Sequence, residues 1–227
     1  MGVNKNLIQI AIDGPAGSGK STVAKKLAQV LGFIYLDTGA MYRTVTLKAL
    51  RSQIDLNDPQ ALKAIVDTIA IDFDKDRVLM DREDCTEAIR QPEVSRNVSK
   101  VAMDVHVREV MVKQQQQIAS NKNVIMDGRD IGTHVLPNAD YKFFLVASAE
   151  ERASRRLREL AAKGFETDLK TLTKEIELRD KLDSERACAP LAQASDAICI
   201  DTTTFNIEEV VNALLEIIQN RKVVSNA

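Results

Sequence analysis

The sequence has few cysteines and few aromatic residues. Cys85, Cys188 and Cys199 stand far apart in a chain of 227 residues, and none belongs to a CxxC pair. This odd, scattered set disfavours a disulfide framework and a thiolate metal site, so we expect a reducing compartment and cysteines that fill the core. Aromatic residues make up 4% of the chain, which leaves few surfaces on which nucleic-acid bases stack.

The chain also lacks an excess of one charge and a long hydrophobic run. Its formal net charge is -2, which gives no general attraction to a polyanion, so we expect no nucleic-acid partner. The opening stretch MGVNKNLIQIAID has too short an apolar run for a signal peptide, and no segment is long enough to span a bilayer. We therefore expect a cytoplasmic protein with no membrane partner. We also expect a monomer, although neither observation bears on the oligomeric state.

Short apolar runs alternate with longer stretches of helical period along the chain. This alternation predicts an α/β fold, with a central parallel sheet flanked by helices. The predicted strands are LIQIAID, FIYLD, NVIMD, YKFFLVA and AICID. The predicted helices are STVAKKLAQVL, AMYRTVTLKALR, VREVMVKQQQQIAS, AEERASRRLRELAAK, DLKTLTKEIELRDKL and IEEVVNALLEIIQN.

One segment, residues 69–103, interrupts this alternation. The residues DKDR lie between two short apolar runs in it and indicate a β-hairpin. We interpret the segment as a small subdomain inserted into a single domain that spans residues 1–227. The length and the 44% hydrophobic content of the chain suit such a domain.

The stretch GPAGSGKST, residues 14–22, carries the clearest motif. Gly14, Gly19, Lys20 and Ser21 satisfy GxxxxGK[ST] between a predicted strand and a predicted helix, which is the context that a phosphate-binding loop (P-loop) requires. Glycines let successive backbone N–H groups point at a phosphate chain. Lysine then supplies a positive charge for the β and γ phosphates, and the serine hydroxyl a ligand for Mg²⁺. We assign nucleotide binding to Gly14, Gly17, Gly19, Lys20, Ser21 and Thr22.

A phosphate loop alone does not separate kinases from switches and motors. A GTPase needs NKxD, and the late NK of this chain is followed by Asn123 and Val124 instead; a motor usually needs a longer chain. Small-molecule phosphoryl transfer remains, and a phosphate acceptor calls for several arginines and no strong base. The arginines beside turns and element ends are Arg43, Arg129, Arg179 and Arg186.

Metal binding has three candidate carboxylates. Asp127 ends a predicted buried strand, as the magnesium-associated aspartate of phosphate-loop proteins does, so we assign the metal to Ser21 and Asp127. Asp37 is a second candidate and Asp13 a third. For Asp127 and Asp37 the alternative role is the cap of a following turn.

Four stretches give the chain a family resemblance. IAIDGPAGSGKST, LDTGAMYR, MDGRDIGT and RDKLDSERACAPL resemble, in order and spacing, those of bacterial cytidylate kinases, which are P-loop nucleoside monophosphate kinases. The similarity extends over nearly the whole chain, with residues 69–103 similar to the nucleotide-monophosphate subdomain of that family. The resemblance implies ATP-dependent phosphorylation of CMP and dCMP with Mg²⁺.

The resemblance also implies roles for individual residues. It implies that Lys20 and Arg129 act in catalysis with Arg186 and Arg156, and that residues 155–186 form a lid in which Arg155 or Arg158 are alternatives to Arg156. The substrate-binding residues that it implies are Thr38, with Arg43, Arg129 and Arg186 at the acceptor phosphate, Ser99, Arg108 and Asp130 at the cytosine, and Arg179 and Asp183 at the sugar. For Ser99 and Arg108 an ordinary surface position is the alternative, and for the arginines of residues 155–158 a plain salt-bridged helix.

Two other functions stay open from the sequence. One is a kinase for another small acceptor, such as UMP or shikimate, although shikimate would leave a phosphate-directed arginine cluster underused. The other is a nucleotide-binding module that senses ATP or CMP without turnover. The intact Lys20 and the full set of arginines favour the enzyme.

Overall fold

A computed structural model describes residues 7–74, 76–162 and 164–225 of the chain, with side chains as far as residue 220. Its strands are β1 (Gln9–Asp13), β2 (Ile34–Asp37), β3 (Ile71–Asp74), β4 (Arg77–Met80), β5 (Glu83–Asp84), β6 (Val124–Gly128), β7 (Tyr141–Val146) and β8 (Ile198–Asp201). Its helices are α1 (Lys20–Leu31), α2 (Thr38–Arg51), α3 (Pro59–Val66), α4 (Pro92–Met103), α5 (Val105–Ala119), α6 (Ala149–Ala162), α7 (Leu169–Glu185) and α8 (Ile207–Ser225).

The central sheet has the strand order β2-β6-β1-β7-β8. Strand β1 pairs in parallel with β6 and β7, and β7 pairs in parallel with β8. All five predicted strands lie in this sheet, and the predicted α/β class is confirmed. Because parallel strands present their carboxyl ends at one edge, the residues that follow β1 and β6 lie close together.

Buried apolar side chains hold the helices α1 and α8 against this sheet. Ile10 and Ile12 of β1 are fully buried, as the continuous apolar run of a central parallel strand requires. They pack with Leu27 of α1, Phe143 of β7 and Leu214 of α8 in one cluster. This core fixes the end of β1, and therefore the phosphate loop, relative to α1.

The chain folds into two compact units. The first consists of residues 1–36, 119–185 and 189–227 and holds the central sheet; the second consists of residues 37–118 and 186–188. In the second unit β3 and β4 form the predicted antiparallel hairpin, with Asp74 opposite Arg77, and β5 adds a third strand. The second unit is larger than the predicted insertion; the subdomain bounds 69–103 and 155–186 stay predictions.

The cysteines only partly follow the prediction that they fill the core. All three are free thiols, and Cys85 is buried, but Cys188 is half-buried and Cys199 is exposed. Cys199 lies on β8 at the edge of the central sheet, where alternate side chains face outwards. Among the residues that the structure describes, no helix is both long and apolar enough to cross a membrane.

Candidate active site

Residues 14–19 connect β1 to α1 and have the backbone of a phosphate-binding loop. Gly14, Gly17 and Gly19 have φ angles of 144°, 77° and 85°, which residues other than glycine rarely adopt. A Cβ atom at Gly14 would lie 2.0 Å from the carbonyl oxygen of Leu145 on β7. Glycine is therefore required at position 14 by the neighbouring strand as well as by the conformation of the loop.

The Lys20 side chain is folded into this loop. Lys20 is 4% exposed, and its Nζ donates a hydrogen bond to the carbonyl oxygen of Pro15 at 2.6 Å. Burial lowers the pKa of Lys20 well below its usual value, and the positive charge of Arg129 lowers it further, while Asp127 opposes the shift. Negative charge beside Lys20, as a polyphosphate would supply, therefore favours its charged form.

The Ser21 hydroxyl, at the start of α1, is oriented by the carboxylate of Asp127 at the end of β6. Ser21 Oγ donates to Asp127 Oδ2 at 2.8 Å, and the Tyr35 hydroxyl donates to Asp127 Oδ1 at 2.8 Å. A serine hydroxyl that donates its hydrogen bond to a carboxylate keeps its oxygen lone pairs available to a cation. These oxygens fit Mg²⁺, which usually takes one or two protein ligands together with substrate phosphates.

The structure describes no group of three or more His, Cys, Asp or Glu residues that could hold a metal by themselves. Of the other two metal candidates, Asp37 caps α2 by accepting from Ala40 N at 2.8 Å, and it also accepts from Arg43 Nη2 at 2.8 Å. The alternative role that the sequence left open for Asp37, a cap, is therefore observed.

The third candidate, Asp13, holds the turn that follows β6. Its carboxylate oxygens accept from the backbone N–H groups of Ile131 at 2.8 Å and Gly132 at 2.7 Å. Burial raises the pKa of Asp13 to about 6 although both hydrogen bonds favour the ionised form. Because Arg129 and Asp130 lie between β6 and this turn, Asp13 helps to fix where these two predicted site residues lie.

Arg129 and Asp183 form an ion pair with little exposure to solvent. Arg129 Nε lies 2.8 Å from Asp183 Oδ2, with side chains that are 18% and 7% exposed. Burial disfavours the charged guanidinium, but the charge and hydrogen bond of Asp183 raise the pKa of Arg129 above its ordinary value. Arg129 and Arg179 also lie close enough to Lys20 to lower its pKa. The first unit therefore gathers these predicted site residues beside the phosphate loop.

In the second unit, the predicted acceptor residues Thr38 and Arg43 lie on α2. Thr38 is the buried first residue of the helix, and Arg43 is one turn later with its guanidinium beside the backbone of Gly39. Arg43 Nη2 is held by Asp37, while its buried Nε has no hydrogen-bond partner in the described structure. Arg43 is therefore oriented by a carboxylate and keeps donor capacity. Arg186, in the same unit, is buried.

The predicted cytosine residues Ser99 and Arg108 also lie in the second unit. The alternative of an ordinary surface position is wrong for both, because Ser99 is 6% exposed and Arg108 is 2% exposed. The Arg108 guanidinium lies 5.5 Å from the centre of the Tyr42 ring and donates to the carbonyl oxygen of Ala102 at 3.3 Å. Asp130, the third predicted cytosine residue, is buried in the first unit.

The three lid arginines at positions 155, 156 and 158 each form an ion pair in this structure. Arg156 pairs with Glu159 on its own helix, and Arg158 pairs with Glu151. Arg155 pairs with Glu151 and donates to the carbonyl oxygen of Thr202 at 2.7 Å. The salt-bridged helix that the sequence left open is therefore observed, and the mobile lid stays a prediction.

Tyr35 and Arg152 are site residues that the sequence interpretation missed. The run FIYLD indicates that Tyr35 precedes the carboxyl end of a strand, but nothing in it shows which carboxylate the hydroxyl reaches. Arg152 shares the segment ERASRRLREL with three other arginines, and helical spacing alone does not separate it from them. In the structure Arg152 is 5% exposed.

Comparison with solved structures supports the architecture. An uncharacterised protein from Eubacterium ventriosum superposes with a TM-score of 0.54 at 14% identity, covering 95% of this chain and 99% of its own. A gluconokinase from Sinorhizobium meliloti superposes with a TM-score of 0.50 at 14% identity, covering 96% of this chain and 97% of its own. At this identity the likeness is one of fold.

Sequence comparison identifies the family. A cytidylate kinase family model matches residues 10–220. The cytidylate kinase of Enterococcus faecalis is 55% identical over 94% of this chain and 96% of its own length, and that of Caldanaerobacter subterraneus is 54% identical over 93% and 95%. With this match, and with a phosphate loop, a buried lysine and an ion-paired arginine at the carboxyl ends of β1 and β6, the chain belongs to the cytidylate kinase family.

Proposed function

We propose that this protein transfers the γ-phosphoryl group of ATP to the 5′-phosphate of CMP or dCMP, giving ADP and CDP or dCDP. The observation that carries the proposal is the match to the cytidylate kinase family over residues 10–220, and the relatives named cytidylate kinase match over nearly their whole length. The chemistry of the site agrees with this reaction.

Nucleotide phosphates would bind at residues 14–22. The glycine-rich backbone supplies N–H donors, and the first turn of α1 adds its dipole. The buried Lys20 would contact the β and γ phosphates, whose negative charge favours the charged form of a buried lysine. Ser21, with Asp127 behind it, would hold Mg²⁺, and a bound Mg²⁺ would supply positive charge to the phosphates.

The acceptor phosphate is itself the nucleophile. One of its oxygens forms a bond to the γ-phosphorus as the bond from that phosphorus to the β–γ bridging oxygen breaks, and ADP leaves. An oxygen that is already anionic needs no general base, so positioning and charge neutralisation carry the catalysis. We assign the acceptor phosphate to Arg43, Arg129 and Arg186, whose planar guanidinium groups bind phosphate oxygens in pairs.

Selection of cytosine would depend on Ser99, Arg108 and Asp130. Cytosine carries an amino donor beside a ring-nitrogen acceptor, so a carboxylate and a hydroxyl suit the amino group and an arginine suits the acceptors. Uracil would place a carbonyl oxygen against the carboxylate of Asp130. All three side chains are buried, and a buried site built to hydrogen-bond one base discriminates strongly against another.

The remaining assignments concern the sugar, the lid, the cellular location and the oligomeric state. We assign the sugar hydroxyls to Arg179 and Asp183, and Thr38 to the acceptor nucleotide. Arg156 of the lid at residues 155–186 would reach the transferring phosphoryl group by leaving Glu159, an exposed pair that costs little to break. We further propose that the enzyme acts in the cytoplasm as a monomer.

An ADP-release assay with ATP and Mg²⁺ tests this function. CMP, dCMP, UMP, AMP, GMP and shikimate are compared as acceptors, and we expect rapid turnover with CMP and dCMP alone. Turnover with a different acceptor would overturn the specificity, and ATP binding without turnover would favour a nucleotide-sensing module.

A variant of the base site adds a second test. Asp130→Ala is expected to raise the KM for CMP much more than the KM for ATP. Asp140→Asn is the control, because the Asp140 carboxylate accepts the backbone N–H of Gln9 at 2.8 Å at the opposite end of β1. Equal losses for CMP and ATP in Asp130→Ala would show that Asp130 serves the fold or the metal instead.

A further inference from the structure

Arg152 is a buried arginine whose guanidinium contacts three separate parts of the first unit. Its Nε donates to the carbonyl oxygen of Ala147, after β7, at 2.9 Å. Its Nη1 donates to the carbonyl oxygen of Ala16, within the phosphate loop, at 2.9 Å. Its Nη2 lies 2.6 Å from Asp180 Oδ2 on α7. One side chain therefore links the phosphate loop, the end of a central strand and α7.

The contact with Ala16 determines the orientation of one peptide group in the phosphate loop. In a trans peptide the C=O and the following N–H point in opposite directions. When Arg152 holds the carbonyl oxygen of Ala16, the N–H of Gly17 must point away from Arg152. Phosphate loops bind anions by gathering such N–H groups on their concave side.

The shape of the loop at Gly17 fits the same arrangement. Gly17 has a φ angle of 77°, and a Cβ atom there would lie 3.2 Å from the Cβ atom of Arg152. The absence of a side chain at Gly17 thus allows α6 to approach until the guanidinium of Arg152 reaches the Ala16 carbonyl. Glycine and arginine are matched across this contact.

Asp180 fixes the other end of the guanidinium. Its carboxylate lies three residues before Asp183 on α7, so the two carboxylates share one face of that helix. Asp180 holds Arg152, and Asp183 holds Arg129 at 2.8 Å. One face of α7 is therefore joined both to the phosphate loop and to the arginine at the end of β6.

We propose that Arg152 is a positioning residue that holds the Ala16–Gly17 peptide with its N–H directed at the nucleotide phosphates, and that Asp180 holds Arg152 for this task. The inference rests on the proposed function only in taking a polyphosphate as the ligand. Arginine suits the role because its planar fork reaches two carbonyls and a carboxylate at once. Lysine has the charge, but it is a point donor without that fork.

Calorimetric titration with Mg²⁺-ADP and with Mg²⁺-tripolyphosphate tests this role, because tripolyphosphate has phosphates but no base. We expect Arg152→Lys to weaken the binding of both ligands by a similar factor, about tenfold or more, because both lose the hydrogen bond from the Gly17 N–H once that peptide is no longer held. Asp180→Asn should weaken both in the same direction by a smaller factor. In turnover assays the KM for ATP should rise while the KM for CMP changes little.

Lys142→Met is the matched control for general damage to the fold. Lys142 is also a buried cation of the first unit, 7% exposed, and its Nζ donates to the carbonyl oxygen of Pro137 and to Asp196. The control should lower the thermal stability but leave tripolyphosphate affinity unchanged. An equal loss of tripolyphosphate affinity in the control and in Arg152→Lys would overturn the proposal.

Two further outcomes separate this inference from the proposed function. Unchanged tripolyphosphate affinity with weakened ADP binding in Arg152→Lys would mean that Arg152 contacts the base, and the positioning role would be overturned. If wild-type protein turned over CMP normally in that case, the proposed function would stand. If wild-type protein turned over no acceptor but Arg152→Lys lost tripolyphosphate affinity, the positioning role would stand alone.

Discussion

The Arg129–Asp183 ion pair offers a quantitative test of the electrostatics of the site. Replacing Arg129 with methionine, or Asp183 with alanine, leaves the partner buried with one counter-charge fewer. Removing one member of a buried pair typically costs about 3–5 kcal/mol. Arg129 also lies near Asp127 and Asp180, so it keeps two negative neighbours when Asp183 is lost. We therefore expect Arg129→Met to be the more destabilising of the two changes.

A double-mutant cycle isolates the interaction itself. At an effective dielectric constant of about 20, two unit charges about 4 Å apart interact by about 4 kcal/mol, so the 2.8 Å contact predicts a coupling energy of about 2–4 kcal/mol after partial screening. Urea unfolding of wild type, both single variants and the double variant gives this energy, provided that the m-value is the same in all four.

An exposed ion pair provides the control for this cycle. Lys63 and Asp67 lie 2.7 Å apart on α3 and the residue that follows it, with side chains that are 47% and 38% exposed. Their coupling should not exceed about 0.5 kcal/mol. If Arg129 and Asp183 coupled no more strongly than Lys63 and Asp67, burial would not be strengthening charge interactions at this site, and the electrostatic reasoning would be refuted.

Three further predictions concern the loop and its neighbours. Gly14→Ala places a Cβ atom 2.0 Å from the carbonyl oxygen of Leu145 and should cost more than about 3 kcal/mol of unfolding free energy or prevent folding; a loss below about 1 kcal/mol in urea unfolding would contradict the observed approach of the two strands. The pKa of Asp13 is raised to about 6 from 3.8, so between these pH values the folded state keeps a proton that the unfolded state releases. The stability due to Asp13 is therefore present below pH 3.8 and is lost as the pH rises to about 6. Relative to Asp13→Asn, wild type should lose about 3 kcal/mol of unfolding free energy across that window, and a pH-independent difference between the two proteins in thermal or urea unfolding would argue against the shift. Ser21→Ala removes the hydroxyl held by Asp127 at 2.8 Å and should raise the Mg²⁺ concentration for half-maximal turnover about tenfold, measured by titrating Mg²⁺ at fixed ATP; an unchanged requirement would remove Ser21 from the metal site.

The strands were predictable because each one is a local apolar run. A buried parallel strand needs several consecutive apolar residues, and LIQIAID and YKFFLVA supply them whatever their neighbours. The strand order β2-β6-β1-β7-β8 was not predictable, since pairing joins residues more than 100 positions apart, such as Ile10 and Ile125. Packing between distant elements decides that order.

Two helices of the second unit were missed although they carry local signals. Asp58 precedes Pro59 at the start of α3 and accepts backbone N–H groups at 2.9 Å and 3.3 Å, a cap that the sequence already contains. Pro92 likewise occupies the first turn of α4. Helix α3 spans only eight residues, which is too few turns to show a clear helical period.

The sequence by itself determined the phosphate loop. Its glycines, Lys20 and Ser21 act through spacing within nine residues, and backbone conformation at such short range is set by the residues themselves. The sequence also supplied the arginines, but not their roles. Only the tertiary structure showed that Arg129 pairs with Asp183 and that the buried Arg152 donates to the carbonyl oxygen of Ala16, whereas Arg156 pairs with Glu159 near the surface. An arginine acts through the groups that packing brings to its guanidinium, and those groups come from segments that are far apart in the chain.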